Sequence, residues 1–464
     1  MVEESLLVGS IEALGTALRD DRLTVVELTE AYLDRLERVG PELNAVVTVT
    51  RERARQQAER LDEEFDAGTD RGPLHGIPFG VKDLLSVKDH PTTWGAAPLQ
   101  DQTFDEDATV VERLEAAGGV LLGKLSSVEL AGGFGYEQAD AAFNGPGRNA
   151  WDPDAWSGGS SSGPGSAVPA GCVGFAIGSE TWGSIITPAG YNGVAGHRPT
   201  YGAVSRAGAM ALSWTMDKIG PLCRTARGCE QVLEAIAGPD PRDTSTVDRS
   251  LDTDPTAEPT LGVFEDVTAD IEPAVGSNYE ESLAVLEDFA TIEPIELPEY
   301  PYNEVADLLI GGEAAAAFDT FVEAGHIEDL TAPADRVGGY AQQAIPAKDY
   351  INAMRVRRKL QRDVDQLFDT VDAIVAPSLA TVAPPIDTPF AEYRDPHELP
   401  PIAAAANVAG LPGVTIPNGF GDRELPTGIT FTGRAFADLE ILDYAARYQG
   451  RTDHVDYTSR LGAY

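Results

Sequence analysis

Apolar residues recur along the chain at two spacings. Val25, Leu28, Tyr32, Leu36 and Val39 are three to four residues apart, the period that keeps one face of a helix apolar. Thr24 and Glu27 make the Thr-x-x-Glu pattern of a helix start, and Gly40 closes the run. A second helix is predicted from about Arg51 to Phe65. Short apolar runs near 77–81, 119–125, 173–178, 261–265, 372–376, 413–416 and 428–432 have the length of strands, with helical segments between many of them. This alternation predicts an α/β chain. Residues 239–259, acidic and rich in Pro and Thr, read as a surface loop, and residues 300–350 show no clear pattern.

Two glycine- and serine-rich stretches interrupt the pattern: Ser157-Gly-Gly-Ser-Ser-Ser-Gly-Pro-Gly-Ser166 and Gly178-Ser-Glu-Thr-Trp-Gly-Ser-Ile-Ile-Thr-Pro-Ala189. Upstream, Lys82 ends the apolar run Ile77-Pro-Phe-Gly-Val81. A serine hydroxyl is a poor nucleophile until a base takes its proton. Lysine can be that base only when neutral, and burial among apolar neighbours pulls its pKa down from about 10.4. Glycine turns let successive backbone N–H groups converge on a developing oxyanion. Two serines on such turns with one lysine in an apolar run are the parts of an acyl-transfer site.

Other readings of these stretches are weaker. A Gly/Ser run alone is often a linker, but this one lies between patterned segments. It lacks the Lys-Ser/Thr ending of a phosphate-binding loop. Gly159-Ser-Ser-Ser-Gly163 matches a G-x-S-x-G elbow with Ser161 as nucleophile, and His397 or His454 could complete a triad; that elbow needs a preceding apolar strand, which residues 148–157 do not supply. Lys124 reads as a strand-end lysine. The histidines have no metal-ligand spacing, and Cys172, Cys223 and Cys229 form no CxxC or disulfide framework, reading instead as small buried hydrophobes.

Charge adds a second theme. Asp and Glu number 75 against 34 Lys and Arg, a formal net charge of −41, and only six of the basic residues are lysines. Acids spread along the whole chain suggest a halophilic protein with an acidic surface, whose self-repulsion is screened by a Debye length of about 3 Å at 1 M salt. Direct nucleic-acid binding is disfavoured, since phosphate contacts need clustered cations; Arg355-Val-Arg-Arg-Lys359 reads as a solvated helix face. No basic leader precedes an apolar stretch, and the longest uncharged segment, about 155–179, is too rich in Gly, Ser and Pro for a membrane helix. A cytoplasmic protein without membrane partners is expected.

The motifs resemble those of the amidase signature family. The likeness includes Gly72-Pro-Leu-His-Gly-Ile-Pro-Phe-Gly-Val-Lys-Asp83, Asn149-Ala-Trp-Asp152, Gly193-Val-Ala-Gly-His-Arg-Pro-Thr-Tyr-Gly202, Asp217-Lys-Ile-Gly-Pro221 and Asn407-Val-Ala-Gly-Leu-Pro-Gly413, and is strongest over about 70–225. The resemblance implies one domain over residues 1–464, a central mixed β-sheet covered by helices on both faces. Its parts would be N-terminal helices over 1–68, the motif core, the acidic loop 239–259, and further strands and helices over 260–464. It implies Ser184 as acyl-enzyme nucleophile, Ser160 as a bridging serine after a cis peptide, and Lys82 as base. Backbone N–H groups of Thr181, Trp182, Gly183 and Ser184 would form the oxyanion hole, and Gly132, Gly133 and Phe134 would line the acyl pocket. No cofactor or metal is implied. The substrate would be a small amide, and homodimers are common in the family.

Departures from the common D-x-G-G-S-I-R pattern sharpen this reading. Trp182 stands where a glycine is usual, and Ile186 replaces the arginine that often accompanies the acid, so Glu180 needs another partner. These changes, and Pro400 where an aspartate would be expected, favour a stand-alone amidase over the alternative, the glutaminase component of a tRNA-dependent amidotransferase with its partner subunits. A catalytically silent family member would instead show Lys82 far from Ser160, or Ser184 buried without a pocket. Trp182, Phe134, Trp94 and Tyr136 suggest an aromatic-walled acyl pocket.

Overall fold

Eleven strands hydrogen-bond into one mixed sheet in the computed structural model, which describes residues 2–251, 255–265, 267–393 and 400–461. They are β1 (Val46–Val49), β2 (Pro78–Lys82), β3 (Val120–Leu125), β4 (Phe175–Glu180), β5 (Ala195–Arg198), β6 (Lys218–Cys223), β7 (Thr260–Val263), β8 (Thr291–Pro294), β9 (Ala373–Pro377), β10 (Gly413–Phe420) and β11 (Pro426–Gly433). Across the sheet the order is β1-β3-β2-β4-β6-β5-β10-β11-β9-β7-β8. β2 runs parallel to both β3 and β4, whereas β6 is antiparallel to β4. The chain is thus α/β, as its patterning predicts.

Helices cover both faces, and β9 shows how. Successive strand residues point to opposite faces. Ala373 and Val375 join the main apolar core, while Ile374 and Ala376 join a second cluster built on helices Tyr302–Ala317, Ala347–Asp365 and Pro401–Ala409. On the main-core side, the Tyr279 hydroxyl in helix Pro273–Leu286 donates to the Val375 carbonyl. Central strands β2, β3, β4 and β6 are buried along their whole length, so side chains at their ends are shielded from water.

The predicted first helix spans Val25–Val39 with its capping box formed, and the second spans Arg51–Asp66. All seven predicted strands are present. Four more were missed. β5 and β6 carry buried polar or charged residues (His197, Arg198, Lys218) that break the apolar signal, and β1 and β8 are short and partly exposed. Much of 300–350 is helical, in Tyr302–Ala317, Asp319–Glu323 and Pro333–Gln342. The basic run needs a correction: Arg355, Arg358 and Lys359 face solvent, but Arg357 is buried and donates to the Val408 carbonyl at 2.8 Å. Cys172, Cys223 and Cys229 are all buried thiols. His397 and residues 252–254 of the acidic loop lie outside the described residues. Among the described residues, no helix is long and apolar enough to cross a membrane.

Candidate active site

The ends of β2 and β4 meet the two glycine-rich loops. Lys82, the last residue of β2, is completely buried, with Nζ 2.7 Å from Ser160 Oγ and 3.0 Å from Ser179 Oγ. Its lowered pKa, about 7, comes from burial, against the opposing pull of Asp217 and Glu180. A lysine there exchanges its proton near neutral pH and has hydroxyls as its immediate partners.

Ser160 follows a cis peptide from Gly159. A side chain at Gly159 would stand 2.7 Å from the Tyr136 hydroxyl and 2.9 Å from the Trp156 ring, so anything larger than glycine must displace these packed side chains. Neighbouring Ser161 is committed elsewhere: its hydroxyl donates to the Ser179 carbonyl at 3.1 Å and accepts from the Ser179 amide at 3.2 Å. Its amide donates to the Ser184 carbonyl at 3.3 Å, joining the two loops. Among the described residues no strand enters this loop, and His454 hydrogen-bonds the Tyr448 hydroxyl of helix Asp438–Gln449 at 3.1 Å. Among the described residues the elbow reading finds no geometry.

Ser184 lies in the turn between β4 and helix Ile186–Asn192, and Glu180 organises that turn. One Glu180 oxygen accepts the amides of Ile185 and Ile186, at 2.8 and 3.0 Å. The other pairs with Arg198 of β5 at 2.9 Å, and both side chains are buried. Glu180 thus finds its partner on a different strand, where the family-common arginine is replaced by Ile186. Burial would raise its pKa, but Arg198, Lys218 and the amides hold it below the ordinary value. Gly183 takes φ +86°, a left-handed conformation that glycine adopts without strain. The amides of residues 185–187 are all used within the turn. Those of Thr181, Trp182, Gly183 and Ser184 have no hydrogen-bond partner among the described residues, leaving four consecutive donors in the turn that carries Ser184.

Ser184 opens onto a cleft of about 550 Å³, lined among others by Gly132, Gly133, Phe134, Tyr136, Thr181 and Trp182. The wall 129–134 is held by the 300–350 region. The Gln342 amide group donates to the Gly133 carbonyl at 2.8 Å, and the Glu129 carboxylate accepts the Thr331 and Ala332 amides. Phe134, Tyr136 and Trp182 face the cleft as the aromatic reading expects. Trp94 does not; it stacks on Phe104 and meets Phe318 at a tilt. Gly183 faces a smaller adjoining cavity with Glu180, Ile186 and Arg198. Among the cleft's described lining residues there is no Lys or Arg.

Sequence reading missed three groups. Ser179, the second neighbour of Lys82, sits in the same Gly-Ser-Glu-Thr stretch as Ser184 and was legible from alternation along β4. Arg198 and Lys218 come from motif segments distant in sequence, so only the sheet order reveals that they meet Glu180.

A family model described as Amidase matches residues 27–442 of the chain. The A component of glutamyl-tRNA(Gln) amidotransferase from Roseiflexus sp. (strain RS-1) is 38% identical, covering 94% of this chain and 95% of that protein. The peptide amidase of Stenotrophomonas maltophilia superposes with a TM-score of 0.83 at 30% identity, covering 96% of this chain and 97% of the other. The corresponding A component from Thermotoga maritima superposes with a TM-score of 0.74 at 29% identity, covering 92% of this chain and 94% of the other.

Proposed function

From the premise that this chain belongs to the amidase signature family, and is thereby a C–N hydrolase acting on amides, we propose that it works through Lys82, Ser160 and Ser184 by way of an acyl-enzyme. The observation that carries this reading is Lys82 Nζ 2.7 Å from Ser160 Oγ, buried and, among the described residues, without a carboxylate in contact, with Ser160 in a loop hydrogen-bonded to the one that carries Ser184 into the cleft. Neutral Lys82 takes the Ser160 proton as Ser160 takes that of Ser184. Ser184 Oγ bonds to the amide carbonyl carbon, and the oxyanion draws on the amides of residues 181–184. Ser160 returns a proton to the nitrogen as the C–N bond breaks, and water then attacks the ester carbon to free the carboxylic acid and Ser184. Losing one oxyanion donor typically costs about 10²–10³ in rate.

Two readings of the amide differ. The relatives' names favour the glutaminase of an amidotransferase over the stand-alone enzyme expected from the motifs, since 38% identity over nearly the whole chain joins it to an amidotransferase component. On that reading glutamine is the nitrogen donor and partner subunits receive the ammonia. The cleft favours the stand-alone reading: its described lining offers no cation for the α-carboxylate of glutamine, while Phe134, Tyr136 and Trp182 offer apolar surface to an uncharged acyl group. In either case we read the acidic composition as an adaptation to high salt.

Ammonia release by the purified chain in molar KCl, across glutamine, asparagine, aliphatic and aryl amides with Ser184→Ala as control, separates the two. Turnover of simple amides that disappears in the variant supports the stand-alone enzyme. Glutamine turnover alone, rising when amidotransferase partner subunits are added, supports the glutaminase. Equal turnover in Ser184→Ala defeats both.

A further inference from the structure

Lys82, Lys124 and Lys218 are all buried. Lys82 meets two serine hydroxyls, and Lys124 forms an ion pair with Asp83 at 2.8 Å. Lys218 has neither arrangement. It opens β6 opposite Glu180 of β4, and its Nζ donates to the Thr181 carbonyl at 3.4 Å. That carbonyl and the Trp182 amide belong to one peptide group. An ammonium on the oxygen polarises the peptide and fixes its plane, which strengthens the N–H offered to an oxyanion.

The charges packed around Lys218 come from several elements. Glu180 at the end of β4 is answered by Arg198 of β5. Arg357, from helix Ala347–Asp365, is near Glu313 and donates to Thr215 Oγ1 and to the Thr215 carbonyl. Arg206 pairs with Asp243. Among the described residues, Asp217 has no cation within ion-pair distance. It accepts from the Thr181 hydroxyl at 2.6 Å and from the Leu212 and Ser213 amides, three donors that suit its ionised form. Burial pushes its pKa up against those donors. With the Glu180–Arg198 and Arg206–Asp243 ion pairs set aside, and Arg357 counted against Glu313 through their shared Thr215, Asp217, Lys82 and Lys218 remain, and one proton between the two lysines makes the trio neutral. Asp217 and Glu180 act on both amines.

We propose that Lys218 is a positioning residue for amide hydrolysis: its ammonium, held on the Thr181 carbonyl beside Asp217, answers the buried carboxylate and leaves Lys82 a free amine next to Ser160. The proposal rests on the reading of Lys82 as base. Burial pulls both lysines down, and their partners differ: the Thr181 carbonyl at Lys218 can only accept and favours an ammonium, whereas the Ser160 and Ser179 hydroxyls at Lys82 can also donate to a free amine. Without the Lys218 charge, Asp217 draws the proton onto Lys82, and the base is lost at neutral pH.

The test compares wild type with Lys218→Met, Lys218→Gln and Lys218→Arg, in molar KCl from pH 5.5 to 9.5, using the amide that wild type turns over best. In the Met and Gln variants the acidic limb of kcat/KM should move up by about one pH unit, and Lys218→Arg should restore it. Gln keeps a donor for the Thr181 carbonyl without the charge, so it separates charge from hydrogen bonding and serves if the Met variant does not fold. In ¹³C-lysine-labelled protein, the Lys82 Cε signal, assigned with Lys82→Arg, should titrate about one unit higher in Lys218→Gln than in wild type. A lowered rate with both midpoints unmoved overturns the proposal and makes Lys218 merely structural. Full activity in Lys82→Ala defeats the base assignment instead, a result distinct from failure at Lys218.

Discussion

Two buried lysines lie side by side in the sheet, Lys82 at the end of β2 and Lys124 near the end of β3, with Val81 paired to Lys124 and Lys82 to Leu125. Both are fully buried, and burial lowers the first to about 7 and the second to about 8. Their partners differ. Lys124 touches the Asp83 carboxylate, the Pro91 carbonyl and the Thr92 hydroxyl, while Lys82 meets the hydroxyls of Ser160 and Ser179. Asp83 follows Lys82 directly in sequence, yet the alternation of the strand turns it to the other lysine. An apolar strand that ends in Lys, with Asp next in the chain, thus supplies a candidate base and, one residue later, the anion that favours the charged form of the neighbouring lysine against burial. A buried lysine is suited to general-base work when hydroxyls rather than a carboxylate surround its amine.

Exchange of partners is the way to break this contrast. Lys82→Ala should lower amide turnover by about 10⁴-fold or more, as removal of a member of a catalytic triad does, with little change in thermal unfolding. Lys124→Met should do the reverse. It strands Asp83 as a buried unpaired charge and should lower stability by about 3–5 kcal/mol, read by denaturant unfolding. Asp83→Asn combined with Lys124→Met should recover a good part of that loss. A Lys124 variant that folds normally yet loses all activity would contradict the division of labour.

Acidity provides a gentler probe. The base must be neutral, so log(kcat/KM) should rise by about one per pH unit below about pH 7 and level off above it, following the Lys82 value. Salt should act on the surface and spare the lysines. Lowering KCl from 1 M to 0.1 M lengthens the Debye length from about 3 to 10 Å, and a chain of net charge −41 should then melt several degrees earlier. The pH midpoint of turnover should barely move, because buried groups are screened much less. The smallest effect belongs to the cleft wall: Gln342→Ala removes the bond to the Gly133 carbonyl and should raise KM a few-fold with kcat nearly unchanged.

Much of this was legible in the chain where signals are local. The capping box at Thr24 and Glu27, the apolar strand ending in Lys82, and the glycine turns around Ser160 and Ser184 all act over a few residues. What stayed hidden depends on sheet order. β5 and β6 are built with buried His197, Arg198 and Lys218, whose polarity conceals a strand, and these strands bring Arg198 and Lys218 to Glu180. Arg357 shows the same limit: a basic helical run reads as solvated until the fold turns one member inward onto Thr215 and the Val408 carbonyl. The cleft was half readable, since Phe134, Tyr136 and Trp182 line it while Trp94 packs elsewhere.

The central claim is that Ser184 forms the acyl-enzyme while Lys82 and Ser160 move its proton. Intact-mass analysis and peptide mapping after rapid acid quench, with a slowly deacylating activated ester of a carboxylic acid in molar KCl, address it directly. The account predicts one acyl adduct, on the peptide carrying Ser184, absent in Ser184→Ala and formed far more slowly in Lys82→Ala. An adduct on Ser160 or Ser161, or undiminished acylation of the Ser184→Ala protein, would contradict it.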